Sequence, residues 1–198
     1  MDTARTGRMD DNEIHAQLVQ SEALRSGHFR LTSGRHSDSY IQCARVLENP
    51  RLTARLAAET VARLPEGHVT DLVIAPAVGG ILFGFAVADV LDVPFLFTER
   101  KDGVMQLRRS FVVPPGASVL VAEDVVTTGG SVAEVCNIVE EAGATVAGVV
   151  SLIHRGSTPV FDAPFYPLLS LNVPSWEPDD CALCREGVPI DAPGSRSN

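Results

Sequence analysis

Cysteine and positive charge are both scarce in this chain, and each scarcity narrows the range of functions. Four cysteines among 198 residues are too few for a disulfide scaffold. The 16 Lys and Arg residues stand against 25 Asp and Glu residues, which leaves a formal net charge of −9. Such a balance argues against non-specific binding of nucleic acid, which requires a basic surface. A small anionic substrate stays compatible with it, because a local group of arginines can oppose the overall sign.

Long apolar runs are also missing. No stretch reaches the roughly 20 apolar residues that a membrane-spanning helix needs. The first residues, MDTARTGRMDDNE, contain no apolar core of a secretory signal. We therefore expect a cytoplasmic protein with neither a membrane nor a nucleic acid as partner.

The chain does contain a series of short apolar runs separated by helical patterns. The runs DLVIAPA, VPFLFTE, SVLVAED and TVAGVVSLIHR lack the strict alternation of a half-exposed strand, which is typical of strands buried on both faces. They predict an α/β fold with a mostly parallel central sheet and helices on both faces. The length suits one domain.

The remaining segments predict four helices and one charged connection. Helices are expected over residues 12–26, from Pro50 onward, over ILFGFAVADVL after the Gly79-Gly80 turn, and over residues 130–142. The segment RKDGVMQLRRSF is predicted to be a charged loop or a hairpin. The Pro-rich end of the chain contains one predicted strand, at residues 166–171, and otherwise forms an extended tail.

Three loops follow predicted strands: APAVGG, TERKDG and EDVVTTGGS. Because ligands of open parallel sheets bind beyond the carboxyl ends of the strands, all three loops should border one crevice. The third loop carries small side chains, hydroxyl groups and the start of a helix, as a phosphate cradle requires. These residues are Thr127, Thr128, Gly129, Gly130 and Ser131.

Two carboxylates, Glu123 and Asp124, come just before this cradle. They can accept hydrogen bonds from a cis-diol, as the acidic residue of dinucleotide-binding folds does. They are also suited to lie near a divalent cation bound by phosphate oxygens. The alternative is a helix without a ligand, capped by Ser131 and Glu134 in a capping box after an exposed acidic turn.

The stretch VLVAEDVVTTGGS resembles the signature by which phosphoribosyltransferases bind phosphoribosyl pyrophosphate (PRPP). The similarity extends over roughly residues 12–155 and is greatest to the orotate phosphoribosyltransferases. FRLTSGRHSDSYIQ, APAVGGI, FTERKDG and SLIHR match further segments of that family. The resemblance divides the single domain, residues 1–198, into an N-terminal helix and hood (1–45), a PRPP-binding core (46–156) and a C-terminal tail (157–198).

The resemblance also implies an activity, which is transfer of phosphoribose from PRPP to orotate, giving orotidine 5′-monophosphate and pyrophosphate with Mg²⁺ as cofactor. By analogy the 5′-phosphate lies in the residue 127–131 loop, and Glu123, Asp124 and Val125 bind the ribose. The pyrophosphate would meet the backbone of Ala77, Val78, Gly79 and Gly80. The catalytic residues implied are Arg100, Lys101 and Asp124, and the orotate-binding ones Tyr40, Thr127 and Arg155. Mg²⁺ would be held mainly through PRPP, near Glu123 and Asp124.

The chain also departs from the family pattern. Many relatives carry a lysine where this chain has Gly79, and a Lys-x-His in a mobile loop that is shortened here. Arg108 and Arg109 either supply the missing charge or face solvent. Two alternatives therefore stay open, namely transfer to another base (a purine or uracil) and a non-catalytic regulator that senses PRPP. Family members commonly act as dimers, so a homodimer is expected.

The pair Cys181-x-x-Cys184 suggests either a metal or a redox site. A structural zinc ion needs four ligands and this motif supplies two, so His154 or a second subunit would have to complete the site. The more frequent explanation of such a motif is a pair of free thiols packed in the tail. His28, His36 and His68 are expected in surface or turn positions.

Overall fold

The computed structural model describes residues 8–156 and 158–193. Its helices are α1 (Asp11–Gln20), α2 (Ala44–Leu47), α3 (Pro50–Val61), α4 (Gly79–Leu91), α5 (Gly130–Glu141) and α6 (Ala182–Arg185). Its strands are β1 (Leu24–Arg30), β2 (His36–Ile41), β3 (Leu72–Pro76), β4 (Phe95–Lys101), β5 (Val104–Leu107), β6 (Ser118–Val126), β7 (Thr145–Arg155) and β8 (Phe165–Leu171). No helix within the described ranges is long and apolar enough to cross a membrane.

The central sheet has six strands in the order β5-β4-β3-β6-β7-β8, and every neighbouring pair except β4–β5 is parallel. The predicted α/β class with a mostly parallel sheet is thus confirmed. β3 and β6 lie side by side at its centre, although 41 residues separate Pro76 from Ser118. The loops that follow these two strands consequently meet at one edge of the sheet.

Strand β6 explains why the apolar runs show no alternation. Leu120 and Ala122 pack with the helices α3 and α4 on one face, and Val119 and Val121 pack with α5 on the other. Successive side chains of a strand point to opposite faces, so a strand covered on both faces needs apolar residues at every position. Two cores result, one on each side of the sheet.

The first helix is shorter than expected. It begins after Asp10, whose carboxylate accepts a hydrogen bond from the Glu13 N–H, and the Glu13 carboxylate accepts one from the Asp10 N–H. It ends at Gln20, and Glu22 adopts a positive φ of 57°. The prediction of a helix to residue 26 is wrong, because Leu24–Arg30 pairs instead with β2 in an antiparallel hairpin. We call this hairpin the hood.

The C-terminal tail is attached to the hood by main-chain hydrogen bonds. The Arg30 N–H donates to the Asp191 carbonyl at 2.8 Å, and His36 and Trp176 exchange two bonds of 2.8 Å. The Ser37 hydroxyl donates to the Pro174 carbonyl at 2.8 Å. The tail therefore fixes both strands of the hood over the domain.

The charged connection after β4 is a tight hairpin. β4 and β5 pair antiparallel, with Lys101 opposite Val104. Asp102 and Gly103 form the two-residue turn with φ angles of 52° and 82°. Asp-Gly favours this turn because both central residues require a positive φ.

Candidate active site

The loop after β6 forms a cradle at the start of α5. The helix begins directly after Gly129, and no side chain caps its first N–H groups. The capping-box alternative is therefore wrong, since the Glu134 carboxylate binds Arg100 instead. Uncapped N–H groups at a helix start are donors directed at the loop, and together with the helix dipole they favour an anion.

A cavity of about 320 Å³ lies over this loop. Thr127, Thr128 and Ser131 are solvent-exposed within it, so their hydroxyl groups are available to a ligand. The residues lining the cavity are Glu123, Val125, Val126, Thr127, Thr128, Gly129, Gly130, Ser131, Val132 and Glu134. The structure therefore brings the predicted phosphate loop and one of the two predicted carboxylates to one cavity.

Gly129 is the residue of this loop that least tolerates a side chain. Its φ is 81°, and a Cβ atom there would lie 2.7 Å from the Phe161 ring. The Val160 N–H donates to the Thr128 carbonyl at 2.9 Å. Residues 158–161 therefore form a wall behind the loop. Sequence reasoning missed Phe161, because nothing in the Pro-rich segment marks which ring folds back against Gly129.

The acidic pair lies against the glycines that start α4. A Cβ atom on Gly79 would be 2.6 Å from Asp124 Oδ1, and one on Gly80 would be 3.0 Å from Glu123 Oε1. The peptide bond between Ala77 and Val78, just before these glycines, is cis. The loop after β3 and the carboxylates after β6 thus form one continuous surface. A side chain at Gly79 would therefore require the Asp124 carboxylate to move.

Burial and the neighbouring Asp124 perturb the ionisation of Glu123. Glu123 is buried, and this burial, with the negative charge of Asp124 as the second cause, raises the pKa of Glu123 to about 9. The Asp124 N–H donates to Glu123 Oε1 at 3.1 Å, and the Val125 N–H donates to Asp124 Oδ1 at 2.9 Å. Two adjacent carboxyl groups with so few donors are suited to a ligand that brings hydroxyl groups or a cation.

The raised pKa of Glu123 predicts how the stability of the ligand-free protein depends on pH. Its pKa is above the value of 4.5 for an unperturbed glutamate, so the folded state binds the proton more tightly than the unfolded state. The stability that this proton contributes is complete below pH 4.5 and is lost as the pH rises toward 9. The loss between pH 6 and pH 8 is about 2–3 kcal/mol.

Glu123→Gln is expected to remove this loss. Thermal unfolding with a chelator and without PRPP should show the Tm of the wild type falling about 5 °C more between pH 6 and pH 8 than that of the variant. Equal slopes for the two proteins would show that Glu123 ionises normally in the folded state.

Arg100 connects the β4–β5 hairpin to the cradle. Its guanidinium donates to both carboxylate oxygens of Glu134, at 2.7 and 3.0 Å, and to the Gly103 carbonyl at 2.7 Å. The hydrogen bond to Glu134 raises the pKa of Arg100. Lys101 is exposed at the end of β4. The predicted catalytic cations are therefore the last two residues of β4, a strand adjacent to β3, at the edge of the sheet that carries the two loops.

Arg108 and Arg109 are directed elsewhere. Arg109 donates to both carboxylate oxygens of Glu99 at 3.0 and 2.9 Å, and its guanidinium lies 5.5 Å from the centre of the Phe97 ring. Arg108 is 3.8 Å from the Glu99 carboxylate. Arg109 has a φ of 61° in a turn after β5. Neither arginine lines the cavity over the cradle.

The residues predicted to bind a base occupy two different elements. Arg155 ends β7, one residue after His154, which pairs with Val126 of β6. Its guanidinium is half-buried, burial lowers its pKa, and it has no ion-pair partner among the described residues. The structure therefore places Arg155 beside the start of the cradle at Thr127.

Tyr40 lies in the hood, where its ring packs against Phe29 with 5.6 Å between ring centres. Cys43, three residues later, places its thiol 3.8 Å from the Asp124 carbonyl oxygen and so connects the end of the hood to the acidic pair. Tyr40 is thus tied to the hood rather than to the cradle.

Comparison with known proteins identifies relatives over nearly the whole chain. The family described as phosphoribosyl transferase domain matches residues 43–179. Orotate phosphoribosyltransferase of Heliobacterium modesticaldum is 53% identical over 96% of this chain and 100% of its own length. That of Chlorobaculum parvum is 50% identical over 96% and 98%.

Solved structures agree on the fold. The crystal structure of orotate phosphoribosyltransferase from Aeropyrum pernix covers 80% of this chain and 93% of its own, at 24% identity and a TM-score of 0.68. Adenine phosphoribosyltransferase from Thermoanaerobacter pseudethanolicus covers 67% and 88%, at 21% identity and a TM-score of 0.58. At these identities the likeness concerns the fold alone.

Proposed function

The chain belongs to the phosphoribosyltransferase family, and we propose that within it the chain is an orotate phosphoribosyltransferase of pyrimidine nucleotide biosynthesis. It transfers phosphoribose from PRPP to orotate and releases pyrophosphate. The observation that carries this proposal is the junction of an uncapped helix start with an acidic pair and a second glycine loop at one sheet edge. Relatives at 43–53% identity over 95–96% of this chain bear the name orotate phosphoribosyltransferase. Orotate is thus favoured over a purine.

The arrangement supports binding of the three parts of PRPP, namely its 5′-phosphate, ribose and pyrophosphate, by three sets of residues. The 5′-phosphate accepts hydrogen bonds from the N–H groups and hydroxyls of residues 127–131. The ribose hydroxyls donate hydrogen bonds to Glu123 and Asp124. Each of these carboxylates accepts one backbone N–H hydrogen bond from the protein and can accept more from a ligand. The pyrophosphate lies toward residues 77–80, where exposed backbone meets the start of α4.

The reaction forms a bond between a ring nitrogen of orotate and C1 of the ribose while the bond from C1 to pyrophosphate breaks. Positive charge develops on the sugar and negative charge on the leaving pyrophosphate, so catalysis consists mainly of electrostatic stabilisation. Asp124 faces the sugar, and Arg100 and Lys101 end β4, the strand next to β3, on the pyrophosphate side. Orotate is itself an anion, and its carboxylate suits the planar guanidinium of Arg155, whose charge is half-buried without an ion-pair partner among the described residues.

The carboxylate oxygens at this site are ligands of the kind that Mg²⁺ prefers. Glu123 and Asp124 provide carboxylate oxygens side by side. Burial and, second, the negative charge of Asp124 raise the pKa of Glu123, and a cation would offset the repulsion between the two carboxylates. Mg²⁺ would be held mainly by PRPP oxygens near this pair. When bound, it would neutralise part of the negative charge of the phosphates.

We further propose a cytoplasmic homodimer.

Turnover should therefore depend on the divalent cation. Removal of Mg²⁺ with a chelator is expected to lower the rate by about 10²-fold or more, because the pyrophosphate charge is no longer neutralised. Initial rates before and after chelation, with Mg²⁺ then added back in excess, measure the effect. Full activity in the chelator would contradict the requirement.

The direct test follows orotate consumption by absorbance with PRPP and Mg²⁺, run beside uracil, hypoxanthine and adenine. We expect turnover of orotate alone. Turnover of another base in its place would reassign the acceptor, and PRPP binding without turnover of any base would identify a regulator.

A further inference from the structure

Four metal-binding side chains from the two ends of the chain meet under the tail. They are His28 of β1, His36 of β2, and Cys181 and Cys184 on either side of the start of α6. One ligand atom of each lies within 4.8 Å of the others. His28, His36 and Cys181 are buried, so the expectation of surface positions for these two histidines is wrong.

Four of the six distances between the ligand atoms are close to those of a tetrahedron around a metal ion. His28 Nε2 lies 3.2 Å from His36 Nδ1, 3.5 Å from Cys181 Sγ and 3.6 Å from Cys184 Sγ, and Cys184 Sγ lies 3.2 Å from His36 Nδ1. With zinc bonds of about 2.3 Å to sulfur and 2.0–2.1 Å to nitrogen, a tetrahedral site places N and N about 3.3 Å apart and N and S about 3.6 Å apart.

A hydrogen bond from its other ring nitrogen leaves His28 Nε2 free to bind a metal ion. Its Nδ1–H donates to the Val188 carbonyl at 2.8 Å, which leaves Nε2 as the atom with the free lone pair. That lone pair faces three groups at once, and a hydrogen bond could satisfy only one of them. A backbone carbonyl that fixes the other nitrogen is the usual support of a histidine ligand.

We propose that these four residues bind a structural zinc ion in a Cys₂His₂ site. Two thiolates and two imidazoles in a tetrahedron form a complete coordination shell for zinc, with no position open for a substrate. The ion joins two segments 145 residues apart, as counted from His36 to Cys181. It holds the tail against the hood through both strands of the hairpin. His154, considered above as a ligand, lies on β7 with its ring 5.2 Å from that of Phe165.

The first test is the metal content of protein purified under reducing conditions and without an affinity tag that binds metals. Elemental analysis should find about one zinc per chain. Cys184→Ser should retain less than about a tenth of that amount, because three ligands with one exposed edge hold zinc poorly. The matched control is Cys136→Ser, which changes a buried cysteine of α5 outside the cluster and should keep its zinc.

The second test uses the unmodified chain and stays informative if Cys184→Ser does not fold. Removing zinc with a chelator should lower the Tm by about 10 °C, and adding zinc back should restore it. Co²⁺ in place of zinc should give the visible and near-ultraviolet bands of a tetrahedral site with thiolate ligands.

Three results would overturn the proposal. They are reduced protein that contains no zinc and shows no Tm shift with zinc, a Cys181–Cys184 disulfide in metal-free protein, and a site that retains iron or copper but not zinc. None of these readouts uses turnover, so a failure here and a failure of the orotate assay are distinguishable.

Discussion

Replacing Arg155 with alanine is expected to lower kcat/KM for orotate by about 10³-fold while leaving PRPP affinity within about twofold. The Arg155 guanidinium is half-buried at the end of β7, the strand next to β6 and its loop, and its loss would leave the carboxylate of the proposed substrate orotate desolvated without a partner. Steady-state kinetics with each substrate varied in turn, and calorimetric titration of PRPP, separate the two affinities.

Two variants control this experiment. Arg155→Lys keeps the charge but loses the planar fork, so it should recover only part of the orotate efficiency. Arg45→Ala removes a guanidinium of α2 that pairs with Glu22 and Glu48, and it should leave both substrates unaffected. Undiminished orotate turnover in Arg155→Ala would remove Arg155 from base recognition without affecting the PRPP site.

Gly129→Ala is expected to lower kcat/KM for PRPP by about 10²-fold. The new Cβ would lie 2.7 Å from the Phe161 ring, in a backbone conformation that L residues rarely adopt, so the loop or the ring must move. A displacement near 1 Å of groups that position a substrate costs about this factor. Kinetics with PRPP varied at saturating orotate measure it.

Gly143→Ala is the matched control at the other end of α5. Gly143 has nearly the same φ, 76°, but a Cβ there would meet its nearest neighbour, Pro115, at an ordinary 3.7 Å. This variant should lose about 1–2 kcal/mol of stability and keep its PRPP kinetics. Equal kinetic losses in both variants would show that the effect arises from stability and not from the cradle.

The helices and strands that were predicted well are those whose local sequence pattern is sufficient to identify them. Strand β7 has the bounds of the run TVAGVVSLIHR, and the helix after Gly129 ends one residue before the predicted position. Both carry an uninterrupted apolar pattern that burial on one or two faces requires. The end of α1 was predicted wrongly because residues 21–26 continue the helical pattern in isolation, whereas Leu24–Arg30 becomes a strand by pairing with β2.

The residues of the candidate site also fall into those that local motifs predicted and those that they did not. The cradle, the acidic pair and the glycine loop are contiguous motifs, and the rule that loops after parallel strands share one edge was enough to bring them together. Phe161 behind Gly129, the contact of Asp124 with Gly79, and the pairing of Arg109 with Glu99 depend on side chains from different elements. No local spacing encodes those contacts.

The sequence alone determined the α/β class, the positions of the main strands along the chain and the motif predicted to bind phosphate, because each follows from periodicity or from a motif within about ten residues. Only the tertiary structure decided which partners distant residues find. Cys181 and Cys184 are visible as half of a metal site, yet His28 and His36 become its other half only because the tail folds back across the hood. Such a contact depends on the packing of the whole chain, since 145 residues separate the two halves.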